Sequence, residues 1–351
     1  MTTIPDLPGV ISADEIVASA HHLASLQTES GMIPWWPGGH CDPWNHVESA
    51  MALDIAGLHD EAERAYGWLA DIQRTDGAWH NYYVPDGAAD DTVEDAKLDT
   101  NVCAYIGAGV WHHWRCTGDD RFVERIWPTV ERALDWVLAQ RRADGLPLWA
   151  VEVDAQPWDY ALVAGTCSIQ HSLRHAAEAG AAIGRARPEW IEAADQMAHL
   201  VRTRPEAFEP KTRWAMDWYY PVLTGVLADQ AGRDRLADGW PTFAMEGLGV
   251  RCVSDEPWVT ASETAEAALS YAAVGELDTA TDLVAWTRPH RMTSGAYLTG
   301  LVYPDQVIFP ADEHSSYTTA AVILAVDAIT GASPASRLFA PAQDRSYQAV
   351  R

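Results

Sequence analysis

One phrase recurs along the chain: a helix ending in glutamine, a short glycine turn, then an aromatic residue. It runs Gln27…Gly31…Trp35, Gln73-Arg-Thr-Asp-Gly77-Ala-Trp79 and Gln140…Gly145…Trp149, with a weaker echo at Gly295-Ala-Tyr297. Interleaved with it, apolar helical stretches stop at Gly57, Gly118, Gly184, Gly232, Gly275 and Gly331, where a left-handed cap favours glycine. Recurrence at this spacing marks a repeat architecture. Six stops predict six outer–inner helix hairpins closed into a ring, an all-α (α/α)6 toroid.

The helical stretches alternate in character. Within 120–141, Phe122, Ile126, Val130, Leu134, Val137 and Leu138 share one stripe while Arg121, Glu124, Glu131, Arg132 and Arg141 lie off it, the pattern of a surface helix. Segments near 12–27, 60–74, 188–203, 233–243 and 276–288 read similarly. Between them, Val102 to Trp111, Ala261 to Val274 and Thr319 to Ile329 are apolar or small nearly all round, as buried helices are, which makes 44–57, 100–117, 166–183, 221–232, 258–274 and 316–330 the inner set. Inner helices are therefore expected to begin near Trp44, Thr100, Thr166, Pro221, Trp258 and Ser316. Strand signals are confined to Leu301-Val-Tyr303 and Val307-Ile-Phe309. No Ser/Gly-rich or Pro-rich linker divides the chain, so a single domain is expected over 1–351, with a helical ring over about 12–331 and an irregular tail, 332–351.

Charge and punctuation narrow the function. With 50 acidic against 24 basic side chains the net charge is -26, which repels nucleic acid and anionic membrane surfaces. The N-terminus lacks a signal-peptide pattern, and no apolar run is long enough to span a bilayer. Cys41, Cys103, Cys116, Cys167 and Cys252 are odd in number and scattered, so free thiols and a cytoplasmic location are expected. No phosphate loop, Rossmann glycine fingerprint or nucleophile elbow is present. His171 and His175 have half of a zinc-site spacing without a further ligand, and His112-His113 point to two faces. No cofactor and no catalytic metal are expected; monomer and homo-oligomer fit equally.

The connections 28–43, 75–99, 142–165, 204–220, 247–258 and 291–315 are long, and long loops in a compact domain are usually functional. They are expected to share one end of the barrel and to enclose an acidic, aromatic cleft. Trp35, Trp36, Trp44, Trp79, Trp149, Trp158, Trp214, Trp218, Trp240 and Trp258 are assigned to them or to the helix ends near them, with Tyr82, Tyr83, Tyr160, Tyr219, Tyr220, Tyr297 and Tyr303. Such rings either pack over the barrel mouth or stack on sugars and line hydrocarbon cavities. The binding candidates are Trp36, Trp44, Trp214, Trp218, Trp258, Tyr219, Tyr220, Tyr297, Tyr303 and Tyr317, with the polar His40, Asn45, His46, Glu48, Asn101, Asp159 and Asp217.

Carboxylates cluster where loops enter inner helices: Asp42, Glu48, Asp99, Asp217, Asp255, Glu256, Glu263, Glu266, Asp312 and Glu313. Helix N-termini favour negative charge, so some are caps, and Asp99 reads equally well as one. Glu48, Glu263 and Glu266 lie within apolar helices, where an unpaired buried carboxylate is costly. Glu48 has a structural reading, as partner of His46 or a loop arginine. Glu263, flanked by small residues, leads the catalytic candidates, followed by Asp99, Asp42 and Glu313.

The Gln…Gly-x-Trp phrases resemble the repeats of the squalene cyclase and protein prenyltransferase superfamily across most of the chain. That superfamily's chemistry calls for Asp-x-Asp-Asp, absent from the stretch Asp90 to Asp99, or for a zinc-binding Asp-x-Cys, whereas Asp99 and Cys103 are four apart. The passage Asp99-Thr-Asn-Val…Trp111-His-His-Trp…Thr117-Gly-Asp-Asp-Arg-Phe…Trp127-Pro is similar to helix pairs of the (α/α)6 glycoside hydrolases, of glucoamylase and debranching-enzyme type. Within that group the chain resembles the actinobacterial α-endomannosidases that hydrolyse methylmannose polysaccharide. The resemblance implies hydrolysis of an α-linked, methylated mannose oligosaccharide or polysaccharide by two carboxylates, one protonating the leaving oxygen and one activating water or attacking carbon. Many toroid α-glycosidases draw the pair from the loops before the third and sixth inner helices, which nominates Asp159 and Glu313. The residues themselves favour Glu263 with Asp42 or Asp99. Analogy with related toroids implies inversion, with carboxyls about 6.5–9.5 Å apart. The competing readings are a cofactor-free terpene cyclase or hydro-lyase/isomerase on a prenyltransferase-like toroid, with Cys41, Cys103 or Cys167 working beside Asp42 or Asp99, and a non-catalytic glycan or lipid binder.

Overall fold

Six helical hairpins follow one another along the chain. In this computed structural model, which describes residues 3–85 and 91–340, they are α1 (Ala13–Leu26) with α2 (Pro43–Ile55), and α3 (His59–Ile72) with the broken pair α4 (Thr100–Ala104) and α5 (Ile106–Thr117). Next come α6 (Asp120–Ala139) with α7 (Val163–Ala182) and α8 (Pro188–Thr203) with α9 (Ala215–Leu223). The last two are α10 (Asp229–Phe243) with α11 (Ala261–Ala273) and α12 (Leu277–Trp286) with α13 (Ser316–Thr330). The first helix of each hairpin is outer and its partner inner. α2 packs on α5, α5 on α7, α7 on α9, α9 on α11, α11 on α13 and α13 back on α2, so the inner ring closes. Residues 1, 2, 86–90 and 341–351, which include Asp90 and the end of the expected tail, lie outside the described residues. Among the described residues no helix is long and apolar enough to cross a membrane.

The repeated phrase joins neighbouring outer helices. Gln27 Nε2 donates to the Gly31 carbonyl at 3.0 Å and to the Glu61 carbonyl of α3 at 2.9 Å. Gln73 Nε2 does the same for Gly77 and for Thr129 of α6, both at 2.9 Å. Gly31 and Gly77 stand at φ +100°, and a β-carbon on either would lie 2.4 Å from a backbone carbonyl oxygen, that of Arg64 or Arg132. Glycine alone meets both demands. Gly295 approaches Ala18 of α1 in the same manner, and the Ser19 hydroxyl donates to its carbonyl at 2.7 Å, docking the last long loop on the first helix. Gln140 departs from the pattern: its amide turns back to the Trp136 carbonyl at 3.3 Å.

Short antiparallel strands brace the long loops: β1 (Tyr82–Val84) with β2 (Thr92–Asp95), β3 (Leu98–Asp99) with β4 (Ala150–Val151), and a five-stranded sheet of β5 (Ala244–Met245), β6 (Gly249–Arg251), β7 (Trp258–Thr260), β8 (Gly300–Val302) and β9 (Val307–Ile308) in that order. The sheet corrects one boundary. Trp258 pairs with Val302 and Val259 with Leu301, so the fifth inner helix starts at Ala261 and not at Trp258. The β-branched Val259 and Thr260 favour the extended backbone.

The fourth hairpin needs a second correction. Gly232 stops no helix; it lies inside α10 against Val274 and Val222, and the left-handed glycine after α9 is Gly225. α9 begins at Ala215 and carries Pro221 inside it. Proline has no N–H for the Asp217 carbonyl one turn back, and Arg235 Nη2 donates to that carbonyl at 2.7 Å instead. Trp218, Tyr219, Tyr220 and Trp240 accordingly sit on helices, not in connections. At the end opposite the long loops, the chain after α13 packs under the barrel. His171 Nε2 lies 2.9 Å from the Leu338 carbonyl, and the His171 ring stacks on Phe339 at 5.4 Å.

Candidate active site

The long loops meet over the N-terminal ends of the inner helices and enclose a cavity of about 430 Å³. Three carboxylates reach it from helix starts. Asp42 caps α2: its Oδ1 accepts the Asn45 amide N–H at 2.9 Å, and its Oδ2 accepts Asn45 Nδ2 at 2.6 Å and Trp35 Nε1 at 2.8 Å. Asp99 caps α4, its Oδ1 accepting the amides of Asn101 at 2.9 Å and Val102 at 3.2 Å. Glu263 sits in the first turn of α11, where its Oε2 accepts the Ser262 hydroxyl at 2.8 Å and the Thr260 hydroxyl. Amides at Asp42 and Asp99, hydroxyls at Glu263 and the helix dipoles at all three support negative charge there. Because α4 and α11 belong to the second and fifth of six inner positions, Asp99 and Glu263 enter the cavity from opposite sides of the ring.

Burial sets the electrostatics. It raises the Asp42 carboxyl, against the pull of its hydrogen bonds from Asn45 and Trp35. Asp99 is pushed up to about 6 by burial, although the Val102 and Asn101 amides, Lys97 and the Trp149 side chain draw it down. Glu48 and Glu266 form the floor. Burial, followed by the nearby Glu263, lifts Glu266 well above the carboxylate range, opposed by hydrogen bonds from Tyr219 and Tyr220. Glu48 is lifted by burial and then by Glu266, while Tyr105 donates to it at 3.2 Å. Two like groups taken out of water favour their protonated forms, so the negative charge on this floor is reduced. Lys97, 3.5 Å from Asp95 and 4.7 Å from the Trp149 ring centroid, is the one cation among the described lining residues. Asn101 Oδ1 is buried with no hydrogen-bond partner among the described residues, an acceptor left for a ligand hydroxyl.

Of the residues singled out from sequence, Glu263, Asp99, Asp42, Glu48, Trp44, Asn45, Asn101 and Tyr317 line this cavity together. Glu313 does not; it accepts the Thr299 hydroxyl at 2.9 Å beside Tyr317. Trp36 and His40 stand behind the lining, His40 stacked on Tyr82 at 4.5 Å and 5.1 Å from the Trp36 ring. The remainder lie elsewhere. His46 is buried, with Nδ1 accepting the Ile33 amide at 3.1 Å and Nε2 on the Ala65 carbonyl at 2.9 Å. Asp159 borders a separate open groove with Arg142 and Asp144. Trp214 is exposed on the loop before α9, and Asp217 accepts the Lys211 amide at 3.1 Å. Trp218 turns outward to stack on Phe243 at 5.4 Å. Tyr219 and Tyr220 lie beneath the floor, supporting Glu266. Trp258 and Tyr303 belong to the loop sheet and its rim, Trp258 donating to the Phe309 carbonyl at 3.0 Å. Tyr297 is packed in the core.

Several lining residues escape the sequence ranking. Trp35, Tyr82 and Trp149 are visible only as members of a crowded aromatic set, and Asn81, Asp95, Lys97, Met216 and Ser262 carry no signal of their own. Glu266 has one: it stands three residues after Glu263 on α11 and so shares its helix face.

A closed ring of helix pairs with carboxylates at facing helix starts is the architecture of an (α/α)6 glycoside hydrolase. The chain belongs to the family of MMP endo-(1,4)-3-O-methyl-alpha-D-mannosidase: it is 42% identical to that protein of Mycolicibacterium hassiacum over 339 residues, covering 97% of this chain and 92% of the relative. It is a glycoside hydrolase. An uncharacterized glycosyl hydrolase of Methanocaldococcus jannaschii is 34% identical over 92 residues, 25% of this chain and 14% of that protein. Among solved structures, a glycosidase in complex with glucose superposes with a TM-score of 0.72 at 14% identity, over 91% of this chain and 96% of the other. A D-mannose isomerase does so with a TM-score of 0.63 at 12% identity, over 91% and 99%. Those two share the fold. No family model matches the chain.

Proposed function

We propose that this glycoside hydrolase cuts within α-linked, 3-O-methylated mannose polysaccharide, with inversion, using Asp99 as general acid and Glu263 as general base. The observation that carries the substrate class is the 42% identity, over 97% of the chain, to a relative named for that endo-mannosidase. The cavity chemistry supports it. A methyl ether replaces a hydroxyl donor by an apolar group, and Trp35, Trp44, Tyr82, Trp149 and Met216 offer apolar surface beside the polar Asn45, Asn81 and Asn101. Aromatic faces stack on sugar C–H surfaces while amides fix orientation.

In this reading Asp99 protonates the leaving glycosidic oxygen and Glu263 removes a proton from water attacking C1 from the opposite face. Glu263 suits the base because it lies on the cavity wall opposite Asp99, with its Oε2 held by the Thr260 and Ser262 hydroxyls. The test is digestion of 3-O-methylmannose polysaccharide beside unmethylated α-mannan and α-glucan, following reducing ends and product length. Internal cleavage of the methylated polymer in preference to the other two is the expected result. Cleavage of α-glucan alone would overturn the substrate assignment.

A further inference from the structure

The outer wall holds a second aromatic recess, of about 450 Å³, between α10 and α12. It shares no lining residue with the central cavity. Its floor is Tyr271 of α11, eight residues after Glu263 on the same helix and so about 12 Å along its axis. Trp240 of α10 meets Tyr271 edge-on at 5.5 Å and approaches Trp286 of α12 at 6.1 Å with the rings inclined at 49°. Both indoles are half-buried, so each keeps part of its surface open. Asp282 and Glu246, exposed at the margin, and Thr279 complete the polar lining.

Among the described lining residues there is no lysine, arginine or histidine. That composition selects against anions, which the two carboxylates of Glu246 and Asp282 repel. It suits a neutral polyol: hydroxyl protons donate to the carboxylates, and ring C–H faces or methyl ethers lie on the indoles. We infer that the α10/α12 recess is a second saccharide-binding site, which holds a remote segment of the same polymer that enters the central cavity. The polymer's identity rests on the proposed function; the recess and its sugar-type chemistry do not. A tethered second contact raises the effective concentration of chain at the cleft without altering the chemical step. Polymer and short substrate should therefore respond differently when it is lost.

Trp240→Ala, Trp286→Ala and the surface change Asp282→Asn are compared with wild type on 3-O-methylmannose polysaccharide and on a short methylated mannose oligosaccharide. Native gels cast with the polymer, run on these variants in a Glu263→Gln background, report binding without turnover. The expected result is a rise of about tenfold in KM for the polymer in the tryptophan variants, with kcat and short-substrate kinetics unchanged and gel retardation weakened. Asp282→Asn, which leaves the packed rings intact, should show a smaller change of the same sign. Polymer KM and retardation equal to wild type in all three variants would overturn the site. So would quenching of the Trp240 and Trp286 fluorescence by tetramethylammonium and not by saccharide, which would make the recess a cation cage, or a change of oligomeric state in the variants, which would make it an interface between copies. If wild type fails to cleave the polymer, the proposed substrate is wrong, and retardation in gels cast with whichever of α-mannan or α-glucan it does cleave decides the recess.

Discussion

The Tyr219 hydroxyl, on the fourth inner helix, donates to Glu266 Oε2 on the fifth, so a phenol and a carboxyl bridge two helices directly beneath the cavity. Burial holds Glu266 above its ordinary value of 4.5, and the folded state therefore binds a proton that the unfolded chain releases. Stability from this group is complete below the ordinary value and is lost as pH rises through the folded one. Glu266→Gln keeps the shape and removes the titration. Its melting temperature, followed from acid to mildly alkaline pH by circular dichroism, should fall less steeply than that of wild type. Parallel curves would show that Glu266 is ionised in the folded protein.

Asp99 makes a prediction about rate. A general acid must carry its proton, and burial places this carboxyl at about 6 against an ordinary 3.8. In the proposed mechanism kcat/KM reports the free enzyme's acid, so it should decline on the alkaline side of about pH 6. Asp99→Asn should lower kcat by at least about a hundredfold. A flat profile across neutrality in wild type would take the acid role from Asp99.

The ring was legible because its signals are long-range and redundant: six amphipathic outer helices, and glycines that must be glycine, such as Gly31 and Gly77 against the Arg64 and Arg132 carbonyls. Boundaries failed where a local signal has two meanings. Pro221 reads as a helix start, yet Arg235 replaces its missing donor from another helix, and Gly232 reads as a stop although it only makes room for Val274. Strands of two or three residues, such as β6 and β7, are too short to show alternation. In the cavity, Glu263 was readable as charge within an apolar helix, where charge is costly, and Asp99 as a carboxylate where a loop enters an inner helix. Asn81 and Asp95 were not, because a loop hairpin brings them there and nothing in their neighbourhood marks it.

Glu263→Gln tests the other half of the pair. The amide keeps the hydrogen bonds from Ser262 and Thr260 and cannot take a proton from water, so kcat should drop by at least about a hundredfold with folding intact. The first product released by wild type, followed by proton NMR before mutarotation, should carry the β-anomer at the new reducing end, as inversion of an α-linkage requires. An α-anomer first would mean retention, and near-normal turnover in Glu263→Gln would move the base elsewhere.

His46 sets an acid limit on the first inner helix. Burial presses its imidazole down from 6.5 to about 4, opposed by the hydrogen bond to the Ala65 carbonyl. The folded protein keeps this ring neutral where the unfolded chain protonates, so the contribution is complete above 6.5 and is lost as pH falls through about 4. The shift corresponds to about 3 kcal/mol. Urea unfolding across that window should show stability falling with acidification in wild type and a shallower fall in His46→Gln. An equal slope would mean that the ring already carries its proton in the fold.

The glycine phrase can be separated into its two demands. Gly77 has φ +100° and would bring a β-carbon to 2.4 Å from the Arg132 carbonyl oxygen, whereas Gly184 has φ +74° with nothing within 4 Å of such a carbon. Gly184→Ala therefore faces only the left-handed backbone, a cost of about 1–2 kcal/mol. Gly77→Ala must also push α6 away from its turn, and about 3 kcal/mol or more is expected. Gln73→Ala removes the amide that bonds both the Gly77 and Thr129 carbonyls, worth about 1–2 kcal/mol for two modest hydrogen bonds. Chemical denaturation should rank the losses with Gly77→Ala largest, provided the close approach to α6, and not the positive φ alone, is what fixes glycine in the phrase. Equal losses in Gly77→Ala and Gly184→Ala would show that the outer helices part freely and that the repeat marks turn geometry only.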